Sequence, residues 1–442
     1  MLIYNANIIT FDPQNSFIEH GAILVRNGLI EEIGTGSLLA KKYGEEEKYN
    51  ARQRFILPGM IIPHFHIYSA LARGIPVNGE PPENFLQILQ KFWWRLDKKL
   101  TPEDIRFSAY VALIDSIKSG TTTLFDHHAG PGSVAGSLDI LAAVFAEMGL
   151  RGCLSYEVSD RDGEKIARAG IAENIRFAEK CARQPSPSIA ALFGLHASFT
   201  LSDETLRACR EAADGLNLGF HFHLAEGKTD RRETKRKYGC RSPVQRLKKL
   251  GILRDHSIAA HAIDVDEKER RILKECGVTV VHNPQSNMNN GVGFADVTKM
   301  IDAGLMVGLG TDGMTTNLFR EIQAAALLPK HEKRDPRAGG EWLKKIVTGN
   351  HARIASDIFQ ISLGRLQPGV CADLIFVKYD PPTPLYGDNF WQHLLFGFAN
   401  STVESTMAGG KFLMKDGEIL VCDEEKILAG AREKAKKLWA RL

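Results

Sequence analysis

Eight short apolar runs, separated by stretches with helical periodicity, constrain this sequence more than any other feature. The runs are Met60 to Ile62, Thr122 to Phe125, Arg151 to Tyr156, Ile189 to Leu195, Leu218 to Phe222, Ser257 to Ala260, Val278 to Val281 and Met306 to Leu309. Helical patterns such as Asp104 to Lys118 and Ser137 to Met148 lie between them. Eight alternating strand and helix units predict an α/β fold, a (β/α)8 barrel. A doubly wound open sheet is the alternative fold that the same alternation of strands and helices allows.

Both ends of the chain have a different pattern, with strand-like runs joined by short turn signals. Asn27-Gly28 separates two apolar runs, which is a strong signal for a two-residue β-hairpin. Near the other end, the turn-prone Gly409-Gly410 precedes a Lys- and Ala-rich helix that starts at about Glu424. We therefore predict two domains. Residues 1–57 and 359–442, from both termini, form a small β-sandwich domain, and residues 58–358 form the barrel.

Charge and cysteine usage exclude several classes of protein. Lys and Arg number 56 and Asp and Glu number 53, so the chain lacks the dense basic face that nucleic acid binding needs. No uninterrupted run of about 18 apolar residues is present, which argues against a membrane span. The seven cysteines are widely spaced and form no CxxC pair, as expected of reduced thiols. We expect a cytoplasmic protein with neither a nucleic acid nor a membrane as partner.

Polar residues that suit catalysis stand at the carboxyl ends of the apolar runs. Nine of the 14 histidines lie there by this interpretation: His64, His66, His127, His128, His196, His221, His223, His261 and His282. Glu157 follows the third run and Asp312 follows the last. The carboxyl ends of barrel strands converge on one rim, where barrel enzymes carry their active sites. The sequence therefore predicts one histidine-rich site on this rim.

Three of these histidines and one aspartate suit a metal ion. His64 and His66 form an HxH pair, and alternate residues of a strand point to the same face. His223 and Asp312 come from distant runs, and zinc or ferrous iron accepts such mixed nitrogen and oxygen ligands. Glu226, just after His223, is placed to move protons between water and substrate. The alternatives are solvent-facing histidines on an edge strand and, for Glu226, a charge at a helix N-terminus.

The order of these motifs resembles the amidohydrolase superfamily. The matching segments are Pro58-Gly59-Met-Ile-Ile-Pro-His64-Phe-His66, His223-Leu-Ala-Glu226, His261, Gly310-Thr-Asp312-Gly313 and Gly364 to Asp373. Within the superfamily, the chain is similar to the ATZ/TRZ branch of chlorohydrolases and cyclic deaminases, and more narrowly to SsnA-type aminohydrolases. The segments that carry the narrower likeness include Trp93 to Asp97, Asp126-His127-His128 and Tyr156 to Gly163.

The resemblance implies a metal-dependent hydrolase barrel with a small sandwich domain, and a role for each matching residue. The implied metal ligands are His64, His66, His223 and Asp312, around one divalent ion. Zn²⁺ is the expected ion and Fe²⁺ is the alternative. Asp312 would also be catalytic, together with Glu226 as the proton shuttle and His261 as the residue that orients the attacking water. No lysine stands at the end of the fourth run, so a single metal is favoured.

Four further residues are candidates for binding substrate: His196, Asp97, His128 and Arg161. The resemblance places His196 at a substrate-contacting histidine of the deaminases, and Asp97 where several deaminases have a Glu. His128, with His127, has three interpretations, which are substrate contact, support of the metal ligands, and the cap of a strand. Arg161 is a candidate for binding a substrate carbonyl or carboxylate. The alternative for Arg161 is an ion pair within its own loop, with Asp160 or Asp162.

The expected function is that of an aminohydrolase or deaminase, which cleaves a C–N bond of a purine-, pterin- or pyrimidine-like heterocycle. Four aromatic residues near the rim either stack on this small molecule or belong to the core: Phe85, Trp93, Trp94 and Phe199. Ring-opening of a cyclic amide and dechlorination of a triazine are alternatives that use the same metal. A catalytically silent barrel that serves as a scaffold is a third alternative. The resemblance also implies a homodimer.

Overall fold

The structure is a computed structural model that describes residues 1–76 and 79–442. Its strands are β1 (Leu2–Ile9), β2 (Phe17–Arg26), β3 (Leu29–Thr35), β4 (Lys48–Asn50), β5 (Phe55–Pro58), β6 (Met60–Phe65), β7 (Thr121–His128), β8 (Arg151–Tyr156), β9 (Ile189–Ala191), β10 (Phe193–Ala197), β11 (Phe220–Leu224), β12 (Ile258–His261), β13 (Thr279–His282), β14 (Val307–Leu309), β15 (Leu374–Lys378), β16 (Thr402–Ala408), β17 (Lys411–Lys415) and β18 (Glu418–Ile419).

The α-helices mostly lie between these strands. They are α1 (Gly36–Lys42), α2 (Phe85–Ile88), α3 (Trp94–Leu96), α4 (Pro102–Ser119), α5 (Ser137–Met148), α6 (Glu164–Arg183), α7 (Asp203–Leu216), α8 (Lys228–Tyr238), α9 (Pro243–Lys249), α10 (Glu267–Glu275), α11 (Pro284–Asn289), α12 (Val297–Asp302), α13 (Leu318–Lys333), α14 (Glu341–Lys345), α15 (His351–Phe359), α16 (Phe390–Phe396) and α17 (Glu424–Trp439). Short 3-10 or π segments cover Ile67–Ala72, Leu89–Trp93, Asp97–Lys99, Ser198–Thr200, Ile346–Asn350 and Phe398–Asn400.

Strands β6 to β14 form a closed barrel, in which the fourth predicted run divides into β9 and β10 at Leu192. Neighbouring strands pair in parallel within two sheets, β6 to β9 and β10 to β14. Val158 N donates to Gly194 O over 3.2 Å and joins the two sheets on one side. On the other side, Asp312 N donates to His64 O over 3.2 Å. These bonds close the barrel, so the predicted (β/α)8 fold is confirmed and the open sheet is wrong.

Helix α4 shows why the helices of the barrel begin and end where they do. The Thr101 side chain accepts a hydrogen bond from Asp104 N, while the Asp104 carboxylate accepts one from Thr101 N. Pro102 occupies the first turn, where no N–H is needed, and Gly120 ends the helix with a φ of +80°. Within the part of the chain that the structure describes, none of the helices has an apolar stretch long enough to cross a bilayer.

The two chain ends form one sheet in the order β18-β17-β16-β15-β5-β1-β2-β3, with β4 paired to β1. The predicted hairpin at Asn27-Gly28 joins β2 to β3, and its turn residues have φ of +51° and +78°. Ile30 N donates to Val370 O over 2.9 Å, which connects β3 to the segment before β15. The sheet therefore curls back around an apolar cluster that includes Ile23 and Phe376. The layers of the predicted sandwich are parts of this single curled sheet.

Polar contacts fix the curled sheet to the barrel. Arg151, at the start of β8, pairs with Asp373 just before β15, and their side chains are 6% and 3% exposed. Thr406 Oγ1 on β16 donates to Ile117 O of α4 over 2.7 Å. Because these contacts reach β8 and the helix before β7, the sheet supports one flank of the barrel.

Candidate active site

The barrel brings the nine predicted strand-end histidines into its interior, where none is more than 8% exposed. His64 near the end of β6 and His66 just after it have extended backbone, and His221 and His223 alternate on β11, so each pair shares one face. Buried imidazole nitrogens normally have hydrogen-bond partners. His64 Nε2, His223 Nδ1 and His261 Nε2 are buried and have none. Nitrogens without partners in such a cluster indicate a ligand that the protein alone does not supply.

Four donor atoms converge at the predicted metal position. His66 Nε2 lies 3.0 Å from His223 Nε2 and 3.1 Å from Asp312 Oδ1. His64 Nε2 lies 3.5 Å from Asp312 Oδ1. Donor atoms of His64, His223, His261 and Asp312 all lie within 4.8 Å of one another. The structure therefore brings the four predicted ligands together, with His261 beside them.

These donor atoms fit a divalent metal ion. His66 Nδ1 donates to His127 O over 2.6 Å, so the neutral ring, the form that binds a metal, has its lone pair on Nε2, the atom that faces Asp312 and His223. Zinc binds nitrogen and oxygen ligands at about 2.0 to 2.2 Å. Ligand atoms that are 3.0 to 3.5 Å apart can surround an ion at that distance. The chemistry of the donor set and the free nitrogens therefore both agree with a bound cation.

Burial and neighbouring charges shift the pKa values of His66 and Asp312 in opposite directions. Burial lowers the pKa of the His64 imidazole to about 4. Burial also acts to lower the pKa of His66, but the Asp312 carboxylate outweighs it and the pKa rises to about 9. Burial acts to raise the pKa of Asp312, whereas its close contacts with His64 and His66 hold it well below its ordinary value. The Asp312 carboxylate is therefore ionised, as a metal ligand must be.

Glu226 and His261, the other predicted catalytic residues, lie next to the cluster. His261 Nε2 is 3.7 Å from Glu226 Oε2 and 3.9 Å from Asp312 Oδ2. His261 Nδ1 donates to Asn287 Oδ1 over 2.8 Å, so the free lone pair of the neutral ring is on Nε2. Burial raises the pKa of Glu226 well above its ordinary value, which favours the protonated acid. The three side chains therefore surround one small space.

Three residues of this site were not foreseen from the sequence, namely Ser286, Asn287 and Asn290, which follow β13. Ser286 Oγ donates to Asp312 Oδ2. Asn290 Nδ2 lies 3.5 Å from Glu226 Oε1. The signal that could have found them is the polar stretch directly after the seventh predicted run, which places these residues on the same rim.

Glu157, which follows β8, lies among three histidines. Its Oε1 is 3.6 Å from His196 Nε2. Its Oε2 is 3.9 Å from both His127 Nδ1 and His223 Nδ1. Burial raises the pKa of the Glu157 carboxyl to about 7. Glu157 therefore lies between His196, one of the predicted substrate contacts, and His223, one of the predicted metal ligands.

A cavity lies beside the cluster and opens to the surface. The cluster residues that line it are His66, His223, Glu226 and Asp312. Three of the four predicted substrate contacts, His196, Asp97 and Arg161, also line it. The four aromatic candidates, Phe85, Trp93, Trp94 and Phe199, face the same cavity. The aromatic residues are therefore available to stack on a flat ligand.

Two of the predicted substrate contacts bind each other. Arg161 Nη2 donates to Asp97 Oδ2 over 2.5 Å, and the side chains are 8% and 1% exposed. Arg161 Nε also lies 3.4 Å from Asp162 Oδ2, so the ion pair within the loop is present as well. The Trp94 ring faces the guanidinium at 5.3 Å. Burial raises the pKa of Asp97 to about 6, against the opposing effect of Arg161.

His128, the fourth predicted substrate contact, is fully buried and does not line the cavity. Its ring lies 6.5 Å from that of Tyr68 and 5.9 Å from that of Tyr156. The neighbouring His127 stacks on His221 with 4.6 Å between ring centroids. Of the three interpretations of this pair, these positions favour support behind the metal ligands over a direct contact with substrate.

Several site residues have a left-handed backbone, which is costly for any residue that carries a side chain. The φ angles are +55° at Asp312, +73° at His261, +48° at Ala262 and +46° at Ala225. Such residues persist only where the surrounding structure determines them, and they cluster at functional sites. Here they turn the chain sharply just beyond the barrel strands.

Comparisons with known proteins agree with this geometry. Residues 55–413 match the amidohydrolase family. The chain is 31% identical to the 5'-deoxyadenosine deaminase of Methanosarcina mazei over 449 residues, 100% of this chain and 99% of that protein. It is 31% identical to the 5-methylthioadenosine/S-adenosylhomocysteine deaminase of Syntrophomonas wolfei over 445 residues, 99% of each. An adenosine deaminase from Xanthomonas campestris, solved with bound zinc, has the same fold, with a TM-score of 0.87 at 23% identity over 99% of this chain and 98% of that one.

Proposed function

Because the chain belongs to the amidohydrolase family, we propose that it is a metal-dependent aminohydrolase that removes an amino group from a purine-, pterin- or pyrimidine-like heterocycle. It hydrolyses a carbon–nitrogen bond other than a peptide bond, and its substrate is a small molecule. Two relatives that match essentially the whole chain are named as deaminases of adenosine derivatives, which supports a purine-like ring.

The observation that most directly supports the proposal is that potential metal-binding atoms and a buried acid lie beside the same cavity. Three imidazole nitrogens and the Asp312 carboxylate converge within 3.0 to 3.5 Å of their neighbours. Glu226, a carboxyl with a raised pKa, and His261 lie beside them, 3.7 Å apart. A cation site together with a buried acid is the arrangement that metal-assisted hydrolysis of an aminated ring requires.

In the proposed mechanism, His64, His66, His223 and Asp312 hold the ion. When bound, a divalent ion lowers the pKa of a coordinated water towards neutrality. His261 Nε2 accepts a hydrogen bond from the attacking water and aims it, because Nδ1 is held by Asn287. Asp312 accepts the proton that the water loses. Glu226 donates its proton to a ring nitrogen as the water oxygen bonds to the adjacent carbon. The carbon–nitrogen bond then breaks, and the amine leaves as ammonia with the proton that Asp312 had accepted, while Glu226 recovers a proton from the new hydroxyl group as the ring nitrogen keeps the one it received.

We propose zinc as the ion. Three imidazoles and one carboxylate form a mixed nitrogen and oxygen set that zinc favours, and ferrous iron is the alternative. His196 rather than a lysine lies at the fourth strand end, which supports one ion rather than two.

We further propose that residues 58–358 form the catalytic unit, and that 1–57 with 359–442 form the flanking sheet unit. The hydrogen-bonded order of the terminal sheet supports this division, since its strands lie before 59 and after 373. The narrower SsnA-type relationship, the homodimer and the cytoplasmic location stay predictions.

A substrate screen on purified protein tests the proposed function. Metal content is measured first, and about one equivalent of a transition metal is expected. Purines, pterins, pyrimidines and triazines are then assayed for ammonia release, which should be abolished by chelation and restored by added Zn²⁺. Chloride release would indicate a dechlorinating enzyme, and a ring-opened product without ammonia would indicate cyclic amide hydrolysis. Absence of both metal and turnover would overturn the proposal.

A further inference from the structure

The ion pair of Asp97 and Arg161 is in an unusual position, because both partners are buried in the wall of the cavity. Asp97 comes from the 3-10 segment Asp97–Lys99, and Arg161 from the loop after β8. Their side chains are 1% and 8% exposed, and both line the cavity. An ion pair that served only to stabilise the fold would not need to face a ligand cavity.

The pair leaves hydrogen-bonding capacity unused on both partners. Only one bond joins them, from Arg161 Nη2 to Asp97 Oδ2. The buried Arg161 Nε and Nη1 have no hydrogen-bond partner in the structure, and neither has the buried Asp97 Oδ1. A buried polar group without a partner destabilises the folded protein, and a charged group does so more strongly. Arg161 Nε has Asp162 Oδ2 at 3.4 Å, whereas Arg161 Nη1 and Asp97 Oδ1 have no polar neighbour of this kind in the described part of the chain. A free donor and a free acceptor on a cavity wall therefore indicate a ligand that fills both roles.

Charge balance limits what kind of ligand this is. Arg161 and Asp97 neutralise each other, and the nearby Asp162 is balanced by Lys98 Nζ at 2.7 Å. A free carboxylate ligand would meet the Asp97 carboxylate as well as the guanidinium, so the pair disfavours anions. A neutral group that offers an acceptor to Arg161 and a donor to Asp97 satisfies both. A carbonyl next to a ring N–H, the lactam edge of an oxo-substituted heterocycle, is such a group.

The surroundings of the pair suit a flat ring. The Trp94 ring lies 5.3 Å from the Arg161 guanidinium and 6.0 Å from the His196 ring. Beyond His196, the next residue is Glu157, whose Oε1 lies 3.6 Å from His196 Nε2. Glu157 Oε2 in turn lies 3.9 Å from Nδ1 of the proposed ligand His223. A ring held at the pair by its polar edge would therefore lie on the cavity wall that leads to the histidine cluster.

We propose that Asp97 and Arg161 select substrates that carry a lactam edge, so that the substrate class is an amino- and oxo-substituted purine or pyrimidine rather than an adenosine derivative. Arg161 donates to the carbonyl oxygen, and Asp97 accepts from the adjacent ring N–H. Adenine-type rings have no carbonyl and leave both residues without partners. The inference rests on the proposed function and names its substrate class.

Binding to the metal-loaded wild-type enzyme tests the inference without any substitution. Hypoxanthine has the lactam edge, purine lacks it, and 1-methylhypoxanthine keeps the carbonyl but loses the N–H. Calorimetry should show that hypoxanthine binds at least about tenfold more tightly than either of the other two. Equal affinity for hypoxanthine and purine would overturn the proposal.

Substitution of the pair then assigns the preference to these residues. Arg161→Met and Asp97→Asn should each bring the ratio of hypoxanthine to purine affinity close to one. Arg168→Met is the matched control, since Arg168 is 74% exposed and pairs only with Glu164 in α6, and it should keep the wild-type ratio. If a variant does not fold, the wild-type comparison still decides.

Turnover separates failure of this inference from failure of the proposed function. Ammonia release from guanine or cytosine with kcat/KM at least tenfold above that for 5'-deoxyadenosine supports the inference. A higher kcat/KM for 5'-deoxyadenosine overturns the inference and leaves the aminohydrolase function intact. If no amino-substituted ring releases ammonia, the proposed function fails, and the calorimetric comparison still tests recognition of the lactam edge.

Discussion

The two sides of the cavity come from different parts of the fold. The histidine cluster is carried by the ends of β6, β11 and β12 and by the turn after β14, where ladders of parallel strands determine each position. The opposite wall is carried by short pieces between Phe85 and Lys99 and by the loop after β8. The longest of these short pieces, Leu89–Trp93, has five residues. Atoms that must be placed closely for chemistry therefore lie on strands, whereas the groups that face the rest of the ligand lie on segments that can change without altering the barrel.

If this division is correct, substitutions in the histidine cluster should abolish the reaction, whereas substitutions in the opposite wall should change the affinity for substrate. The largest effect is expected for His223→Ala. Removing one of three imidazole ligands should reduce the metal content below about a tenth of an equivalent. Turnover should then fall by more than about a thousandfold, since the ion activates the water. Elemental analysis and ammonia release measure both quantities.

His128→Asn is the graded comparison, because His128 is another buried strand-end histidine that does not line the cavity. It should cost at most about 10- to 100-fold in metal affinity or turnover, far less than His223→Ala. A loss as large as that of His223→Ala, with unchanged metal content and stability, would show that the reactive side of the site extends further than the cluster.

The next effect in size is expected for Glu226→Gln, which removes the acid and leaves the ligands. Metal content should be unchanged and kcat should fall by about 10² to 10⁴, the range for loss of a general acid or base. Glu233→Gln, at a carboxylate on α8 that pairs with Arg236, should have wild-type kinetics. Near-normal kcat in Glu226→Gln would contradict its role as proton shuttle.

On the wall, Asp97 should make stability depend on pH. Its native pKa of about 6 exceeds the ordinary value of 3.8, so the native state binds more protons than the unfolded state between these values. The free energy of unfolding should therefore fall as pH rises from about 4 to 6, by up to about 3 kcal/mol, and level off above 6. Urea unfolding of Asp97→Asn should lack this part of the slope, whereas Asp255→Asn, at an exposed carboxylate, should keep it.

The smallest effect is expected for Trp94→Leu. Loss of the ring beside Arg161 should remove about 1 kcal/mol of cation–π and stacking contact, which raises KM about fivefold. The kcat should change little, because Trp94 contacts neither Glu226 nor the ligands. Trp342→Leu, outside the cavity, should leave both constants unchanged. A fall in kcat without a rise in KM would contradict the division between cluster and wall.

The strand-borne side of the site was predictable because the period of two and the convergence of strand ends are properties of the backbone. His64 and His66 had to share a face, and Asp312 had to approach them once the barrel closed. The terminal hairpin at Asn27-Gly28 was predictable for the same local reason. The division of the fourth run at Leu192 was not, because the run is continuously apolar.

The partner of each polar residue on the wall could not be predicted. Arg161 was expected to face substrate or an aspartate of its own loop, yet it bonds to Asp97, 64 positions earlier. Ser286 and Asn287 were missed because a polar stretch after a strand is compatible with any surface loop. Contacts between loops depend on how several segments pack together, and sequence periodicity carries no information about that.

The left-handed backbone at His261 and Asp312 has a consequence for engineering the protein. Glycine adopts this conformation freely, so at His261 it would relieve roughly 1–2 kcal/mol of backbone strain, but it would also leave a cavity in place of the buried imidazole. Selection for heat resistance alone therefore exerts no pressure to keep the strained residues that the reaction needs. Selection on this scaffold has to measure turnover and thermal tolerance in the same clones.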